Sequence, residues 1–323
     1  MKRSFIALAC AGASLQALAA PPTSYTITDL GADKQPLAVN SSGSLAGFTI
    51  STRQPAIYAD GAWSALALKS GTGSAVAINS LGVAAGWAGH RSMEWKYGNQ
   101  KSLAGVKEGQ AAGIADDGTV VGYEYGGSHA YCYKWKAGVK SPVSGGIGGD
   151  CFVTAIDPTD TYLGGTSDYA FIDGPAGSTN LVPLGGDNPA KQWSSLTALN
   201  KYGHAAVDSS FDATGHSAAA YWNGSTLVDL GAHPAGVESF ATAINEHDNV
   251  LVGGSDGAGH VLFLYAASTG TLTAIEPLIS NPAGWTFDYD LSLVLAALGK
   301  DGTIYGTAKL DGQPHAFKLV PAN

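Results

Sequence analysis

Helix-forming sequence is scarce in this chain of 323 residues. Long runs of Ala, Leu, Glu and Lys at helical period are absent, and only 13% of the residues are charged. Their place is taken by 44 glycines and short bursts of Ser, Thr, Tyr and Val, which is turn-and-strand material. Past residue 20 no stretch holds the ~20 continuous apolar residues that a membrane-spanning helix needs. Basic clusters are missing as well. The 17 Lys and Arg, two of them at positions 2 and 3, face 26 Asp and Glu, for a net charge of -9. An acidic surface without an Arg/Lys stripe suits neither nucleic-acid phosphates nor an anionic membrane, so neither is expected as a partner. Catalytic signatures are equally thin, with no G-x-S-x-G nucleophile elbow, no H-E-x-x-H zinc helix and no phosphate-binding loop.

Only three cysteines occur. Cys10 lies in a stretch that reads as a secretory signal over residues 1–19. Lys2-Arg3 form its positive region, Phe5–Leu18 its apolar segment and Ala17-Leu18-Ala19 its small-x-small cleavage site. A cut after Ala19 is expected, because one after Ala20 would put Pro21 first. The short apolar run before Cys10, with Ala7 in place of a larger aliphatic, argues against a lipid anchor. Export to the periplasm or the medium leaves Cys132 and Cys151 in an oxidising compartment, where a bridge and two separate thiols both remain open.

The mature chain, residues 22–323, is long enough for two domains or one large all-β domain. An internal repeat decides between them. Its clearest copy is Ser217–Gly231, where an apolar strand ends in Tyr221-Trp222, Asn223-Gly224 make a hairpin turn and Ser225–Leu230 return. An Ala-x-Asn-x-x-Gly-like core recurs seven times, at Ala38-Val39-Asn40, Ala77-Ile78-Asn79, Gly113-Ile114-Ala115, Ala155-Ile156-Asp157, Ala198-Leu199-Asn200, Ala243-Ile244-Asn245 and Ala297-Leu298-Gly299. The spacing is about 43 residues, the length of a four-stranded propeller blade. Small residues suit a crowded innermost strand. The Asn or Asp oxygen can bond to backbone two residues on, the second strand ends in Gly or Asp, and the third brings aromatics to fill the wedge between blades. The last unit, from about Val294, supplies three strands, and the orphan strand Tyr25–Leu30 is the missing fourth. The sequence therefore predicts an all-β, seven-bladed β-propeller closed by pairing the N-terminal strand with three C-terminal strands, which removes two exposed sheet edges.

A His-Ala-Phe triplet opens the last aromatic strand at His315-Ala316-Phe317, with variants at His129-Ala130-Tyr131, His216-Ser217-Ala218 and His260-Val261-Leu262; Asp168-Tyr169-Ala170-Phe171 keeps Ala-Phe without the histidine. In this the chain resembles the HAF-type extracellular repeat proteins over essentially all of its mature length. The resemblance implies a secreted or periplasmic β-propeller and carries over no catalytic residue. A histidine repeated from blade to blade reads as a hairpin anchor, and Trp135 and Trp222 read as blade packing.

Candidate chemistry lies where the repeat does not explain the residues. The loops that lead into the inner strands lengthen towards the C-terminal half and supply Asp187, Lys191, Trp193, His233, Glu238, Trp285, Asp288, Tyr289 and Asp290. Loops joining second and third strands add Arg53, His90, Arg91, Glu124, Asp208 and Asp212 on the same face, and variable loops on a rigid scaffold commonly bind ligands. Trp193 and Trp285 can stack on a sugar or aromatic ring; Arg53, Arg91 and Lys191 can hold a carboxylate; His233 with Glu238 can transfer a proton. Asp208, Asp212 and His216, echoed by Asp248, Asp256 and His260, offer oxygens to calcium without matching an EF-hand, and no other cofactor is expected. Three functions fit: a monomeric exported propeller that binds a glycan, small molecule (such as a small carboxylate) or protein on its loop-rich face; a hydrolase or lyase with acid and base in the lead-in loops; and a structural surface protein.

Overall fold

The repeated Ala-x-Asn cores form strand ends closed by Asx turns, as their composition dictates. In the computed structural model, which describes residues 22–69, 71–103, 108–143, 149–186, 192–211, 215–231, 238–288 and 296–322, Asn79 Oδ1 accepts the N–H groups of Leu81 at 3.1 Å and Val83 at 3.0 Å. Asn40, Asn200 and Asn245 do the same two and four residues on, and Asp157 binds the N–H groups of Thr159, Thr161 and Tyr162.

Each turn passes the chain from an inner strand to the second strand of an antiparallel sheet. Six four-stranded sheets follow one another in chain order: β2 (Lys34–Val39) to β5 (Ala62–Ala65), β6 (Gly73–Ile78) to β9 (Asn99–Ser102), β10 (Gly109–Ile114) to β13 (Val139–Pro142), β14 (Phe152–Ile156) to β17 (Gly177–Leu181), β18 (Ser194–Leu199) to β21 (Leu227–Asp229), and β22 (Phe240–Ile244) to β25 (Thr271–Ala274). In the seventh, β28 (Ile304–Leu310) pairs with β29 (Gln313–Ala322), and β1 (Ser24–Ala32) completes the outer edge, in register from Ser24↔Ala322 to Ala32↔His315. The protein is a seven-bladed β-propeller closed by its N-terminal strand. One strand was not anticipated. The inner edge of β28 is shared by β26 (Trp285–Thr286) and β27 (Ala297–Leu298), so the last blade has five strands.

Local details depart from the sequence reading in two places. Asn223-Gly224 do not form a two-residue hairpin: Trp222 pairs with Leu227, because Asn223 Oδ1 binds the N–H groups of Ser225 and Thr226 and draws both into the turn. Most glycines expected at the ends of second strands lie within them, although Gly253 does end its strand. Gly122, for example, is the third residue of β11 (Val120–Gly126). The reason is a one-residue bulge in each inner strand from β2 to β22, leaving Leu37, Val76, Ala112, Thr154, Thr197 and Thr242 unpaired. A bulge bends a strand and sharpens its twist. Across from it the backbones close up, and a Cβ on Gly47 would sit 1.9 Å from the Gln35 carbonyl oxygen and one on Gly86 2.0 Å from that of Ser74.

Packing between blades follows the aromatic third strands. Tyr221 is buried with Val250, Phe263 and Tyr265 of the next blade, and Trp95 with Ala46 of the previous one. Cys132, in β12 (His129–Lys136), is bonded to Cys151 just ahead of β14, which ties one blade to the next across a separation of 19 residues. On the Asx-turn side a second tie runs around the ring. The amide of Asn40 donates to the Asn79 carbonyl at 2.9 Å, Asn79 to Ala115 at 3.1 Å, Asn200 to Asn245 at 3.0 Å and Asn245 to Gly299 at 3.3 Å. Ala115 and Asp157 have no side-chain N–H to donate; Asp116 N instead donates to the Pro158 carbonyl at 2.9 Å.

Two stability outcomes follow. Asn79→Asp keeps the turn's acceptor but turns a donor into an acceptor facing the buried Ala115 carbonyl, and is expected to cost about 1–3 kcal/mol in chemical denaturation; an unchanged midpoint would remove the amide ring from the stability account. Replacing Cys132 and Cys151 by alanine together should cost about 3 kcal/mol, the loop-entropy value for a closed loop of this length, and treating the native protein with reductant should reproduce that loss.

Candidate functional site

A propeller has two faces, and here they differ in chemistry. The lead-in loops and the loops between second and third strands share one; the Asx turns lie on the other. Register aligns the blades. Counting three residues past the first paired residue of each second strand gives Phe48, Trp87, Tyr123, Thr166, Asp208, Gly253 and Thr307. This position lies at the loop-side end of the sheet, against the inner strand of the following blade. Aromatics occupy it in the first three blades and small or polar residues in the rest, with one carboxyl.

From the third to the sixth blade these positions and their neighbours form a continuous band. Tyr123 meets Phe152 edge-on at 4.9 Å and Tyr125 at 5.7 Å, and Tyr125 also meets Phe152 at 6.4 Å. Phe152 lies opposite Thr166, the last residue of β15 (Leu163–Thr166). Thr166 Oγ1 is 3.0 Å from Ser195 Oγ, and Ser195 lies opposite Asp208 in β19 (Ala205–Ser210). Asp208 Oδ1 accepts the Ala241 N–H at 2.7 Å. Tyr125 is 46% exposed, so the aromatic end is open to a partner, while Tyr123, Phe152, Thr166, Ser195 and Asp208 are half-buried. Burial pushes the Tyr123 phenol up to about 12, reinforced by the neighbouring Tyr125 phenol, so both ends of the pH range of interest find it a hydrogen-bond donor.

Asp208 is the exception in this band. Burial pushes its carboxyl up to about 7, although the bond from the Ala241 N–H pulls the other way. A carboxyl that resists ionisation in the fold costs stability at neutral pH, and its position is uncharged in the other six blades, which makes Asp208 a candidate for function.

The other sequence candidates are scattered. Arg53 has a left-handed backbone, φ 52°, and its guanidinium stands 4.5 Å over the Phe48 ring. Arg91 and His90 are exposed at the start of β8 (Arg91–Lys96). Glu124 accepts a bond from Lys140 Nζ at 2.6 Å. Trp193 donates its indole N–H to the Gly215 carbonyl at 3.2 Å. Trp285 packs edge-on against His315 and Phe317 in the seventh blade, and Asp288 pairs with Lys309. Glu238 is exposed and accepts the Ser217 N–H at 3.3 Å, at the start of a third strand. Asp187, Lys191, Asp212, His233, Tyr289 and Asp290 lie outside the described residues. Tyr123, Tyr125, Phe152, Thr166 and Ser195 were not singled out by sequence; aligning the seven second strands at their loop-side ends is the signal that would have found Tyr123 and Thr166 beside Asp208.

The repeated histidines meet acidic partners at their hairpins. His129 Nδ1 lies 3.3 Å from Asp150, His260 Nδ1 2.5 Å from Asp256 and His315 Nδ1 3.0 Å from Asp29, while His216 stacks on Phe211. Asp248 belongs to a different place, bonded to His204 Nδ1 at 2.9 Å and to the Asn200 amide. Among the described residues no three His, Cys, Asp or Glu side chains gather as metal ligands.

On the Asx-turn side the inner strands enclose an axial channel of about 440 Å³, within the usual range for ligand cavities. None of the described residues proposed from sequence lines it.

Linkage gives the test of Asp208. Its folded pKa of about 7 lies above the ordinary 3.8, so the native state holds the proton more tightly than the unfolded chain. Its contribution to stability therefore falls as pH rises from about 4 to about 7 and stays low above that. Asp208→Asn keeps an oxygen for the Ala241 N–H and removes the charge. It should raise the unfolding free energy at pH 8 by on the order of 2–4 kcal/mol and change it little at pH 4. Equal midpoints for the two proteins at pH 8 would contradict the raised pKa.

No protein-family model matches the chain, and no curated protein does. Solved structures share its general course at low identity. A gluconolactonase of Xanthomonas campestris is 14% identical, with 95% of this chain and 93% of that one covered and a TM-score of 0.43. The aldose sugar dehydrogenase of Streptomyces coelicolor in its PQQ-bound form is 12% identical, with 93% and 100% covered and a TM-score of 0.39. An oligogalacturonate lyase in complex with manganese is 13% identical, with 87% and 74% covered and a TM-score of 0.34. Scores at this level carry no argument about activity, and the seven-bladed fold rests on the strand pairing described above.

Proposed function

We propose that this protein is an exported, HAF-type binding propeller that takes a carbohydrate on its lead-in-loop face, along the band from Tyr125 to Asp208. The observation that carries the reading is Asp208, a carboxyl retained at a cost in stability where the other six blades are uncharged. The chemistry around it suits a sugar. Tyr123, Tyr125 and Phe152 offer ring faces and edges to the apolar C–H face of a pyranose, and Thr166, Ser195 and Asp208 offer hydroxyl and carboxyl groups to its ring hydroxyls. A small carboxylate fits less well, because the band has no cation and its one carboxyl would repel it; Arg53 and Arg91 stand on the first two blades. Beyond the band, Trp193 immediately precedes β18 and would extend the contact surface.

The same carboxyl supports a second reading. A group with pKa of about 7 is well tuned for a general acid, so hydrolysis or elimination of a bound glycan is the alternative, with the base drawn from the lead-in loops, where His233 is the candidate. Calorimetric titration against a panel of neutral and acidic oligosaccharides, with product analysis of the same mixtures, separates the two. Binding without turnover, weakened about three- to tenfold by Tyr125→Ala with an unchanged thermal midpoint, is the expected result. Turnover lost in Asp208→Asn would establish the enzyme, and a panel with no binder would sink both.

A further inference from the structure

The opposite end of the axis holds a second surface that the carbohydrate reading leaves unused. The channel is lined by the inner strand of every blade and by the Asx turns below them. The residues at the bulges that line it are aliphatic in the first three blades, Leu37, Val76 and Ala112, and threonines in the next three, Thr154, Thr197 and Thr242, while Val39, Ile78, Ile114, Ile156, Leu199 and Ile244 at the strand ends pack between blades. Three of its hydroxyls are engaged: Thr154 donates to the Leu196 carbonyl at 2.7 Å, Thr197 to Ala206 at 3.0 Å and Thr242 to Leu251 at 3.3 Å. The wall is nevertheless not uniformly apolar. Strands β2, β6, β10, β14, β18 and β22 are each the terminal strand of their sheet, so each turns a backbone edge with N–H and C=O groups to the lumen.

The mouth on this side carries four charged residues, Asp116, Lys201, Glu246 and Lys300. Lys201 pairs with Glu246 at 3.3 Å, and Asp116 accepts the Ser80 N–H at 2.8 Å. Lys300, on the seventh blade, is exposed and has no partner among the described residues.

We infer that the Asx-turn side of the channel binds a short, extended, apolar peptide by its free C-terminus. Each part of the ligand has its counterpart. An extended backbone pairs with a strand edge, as in strand addition, and aliphatic side chains, alternating along that backbone, fill the lumen. The terminal carboxylate stays at the mouth, opposite Lys300. A fatty acid would match the aliphatic side chains but would strip water from the strand edges without replacing its hydrogen bonds. A sugar would find the edges but no aromatic face. This site is separate from the carbohydrate band, so the two proposals stand or fall independently.

The test uses the full-length mature protein and three synthetic tetrapeptides of sequence Val-Ala-Val-Ala: the free acid, its C-terminal amide, and the free acid with two backbone N-methyl groups. Calorimetry should show the free acid binding, the amide weaker by about three- to fivefold, the range of an exposed ion pair, and the N-methylated form weaker by at least about tenfold. Lys300→Gln should bring the acid and the amide to equal affinity. Leu37→Trp, which fills the lumen from the bulge, should abolish binding of all three; its folding is checked by its thermal midpoint. The comparison of the three peptides on the unaltered protein needs no variant at all. No binding of the free acid, equal binding of acid and amide, or indifference to N-methylation would each overturn the proposal.

Discussion

Much of the ring's Asx-turn side depends on a side-chain amide used at both ends. In Asn40, Asn79, Asn200 and Asn245 the oxygen closes the turn between the first and second strands, and the nitrogen reaches the carbonyl at the matching place one blade on. A turn-forming residue thus also fixes the angle between neighbouring sheets. Three of the four are almost wholly buried, so each amide hydrogen bond left unmade would leave a carbonyl without water. Where the repeat substitutes Ala115, the third and fourth blades are joined by the Asp116 N–H to the Pro158 carbonyl and by the Cys132–Cys151 bridge, and beyond Asp157 the Thr154 hydroxyl reaches the Leu196 carbonyl of the fifth blade. The disulfide thus bridges one of the junctions that the amides do not.

The same residue explains why so much of the architecture could be read from the chain. Asn at a fixed place in four blades, with Asp157 in a fifth, is visible as a period because its local role, the Asx turn, demands that residue type. The closure could be read for a similar reason: Tyr25–Leu30 has the pattern of a fourth strand and no unit of its own. Features that depend on partners distant in sequence were hidden. The bulges at Leu37 through Thr242 leave no composition signature, since the bulged residue ranges from Ala to Leu. The glycines opposite them were visible, but their reason, the approach of a backbone carbonyl, was not. β26 is two residues long and is defined only by the partner it finds.

The candidate site divides in the same way. Sequence reasoning pointed to the loop-rich face, because loop length is a local property. It located few of the residues in the band, because Tyr123, Phe152, Thr166, Ser195 and Asp208 come from three blades and look unremarkable one at a time. Trp193 and Trp285 drew attention as large aromatics; in the fold one bonds its indole to backbone and the other packs against Phe317. Asp208 was among the acidic residues noted, yet its significance lies in the six uncharged residues at equivalent positions, which only the register reveals. A departure from a repeat is informative once the repeat itself has been aligned in space.

Closure by β1 and β29 links residues almost the full length of the chain apart. Such a contact cannot form until the C-terminal strand has been made and delivered, whereas each of the first six blades is complete in a local stretch of chain. Blades can therefore assemble in order while the circle waits, open at both ends, for its last element. Of all the pairings in the ring, this closure spans the longest stretch of chain, the kind of contact that folds late, and until it forms the last blade lacks its outer strand.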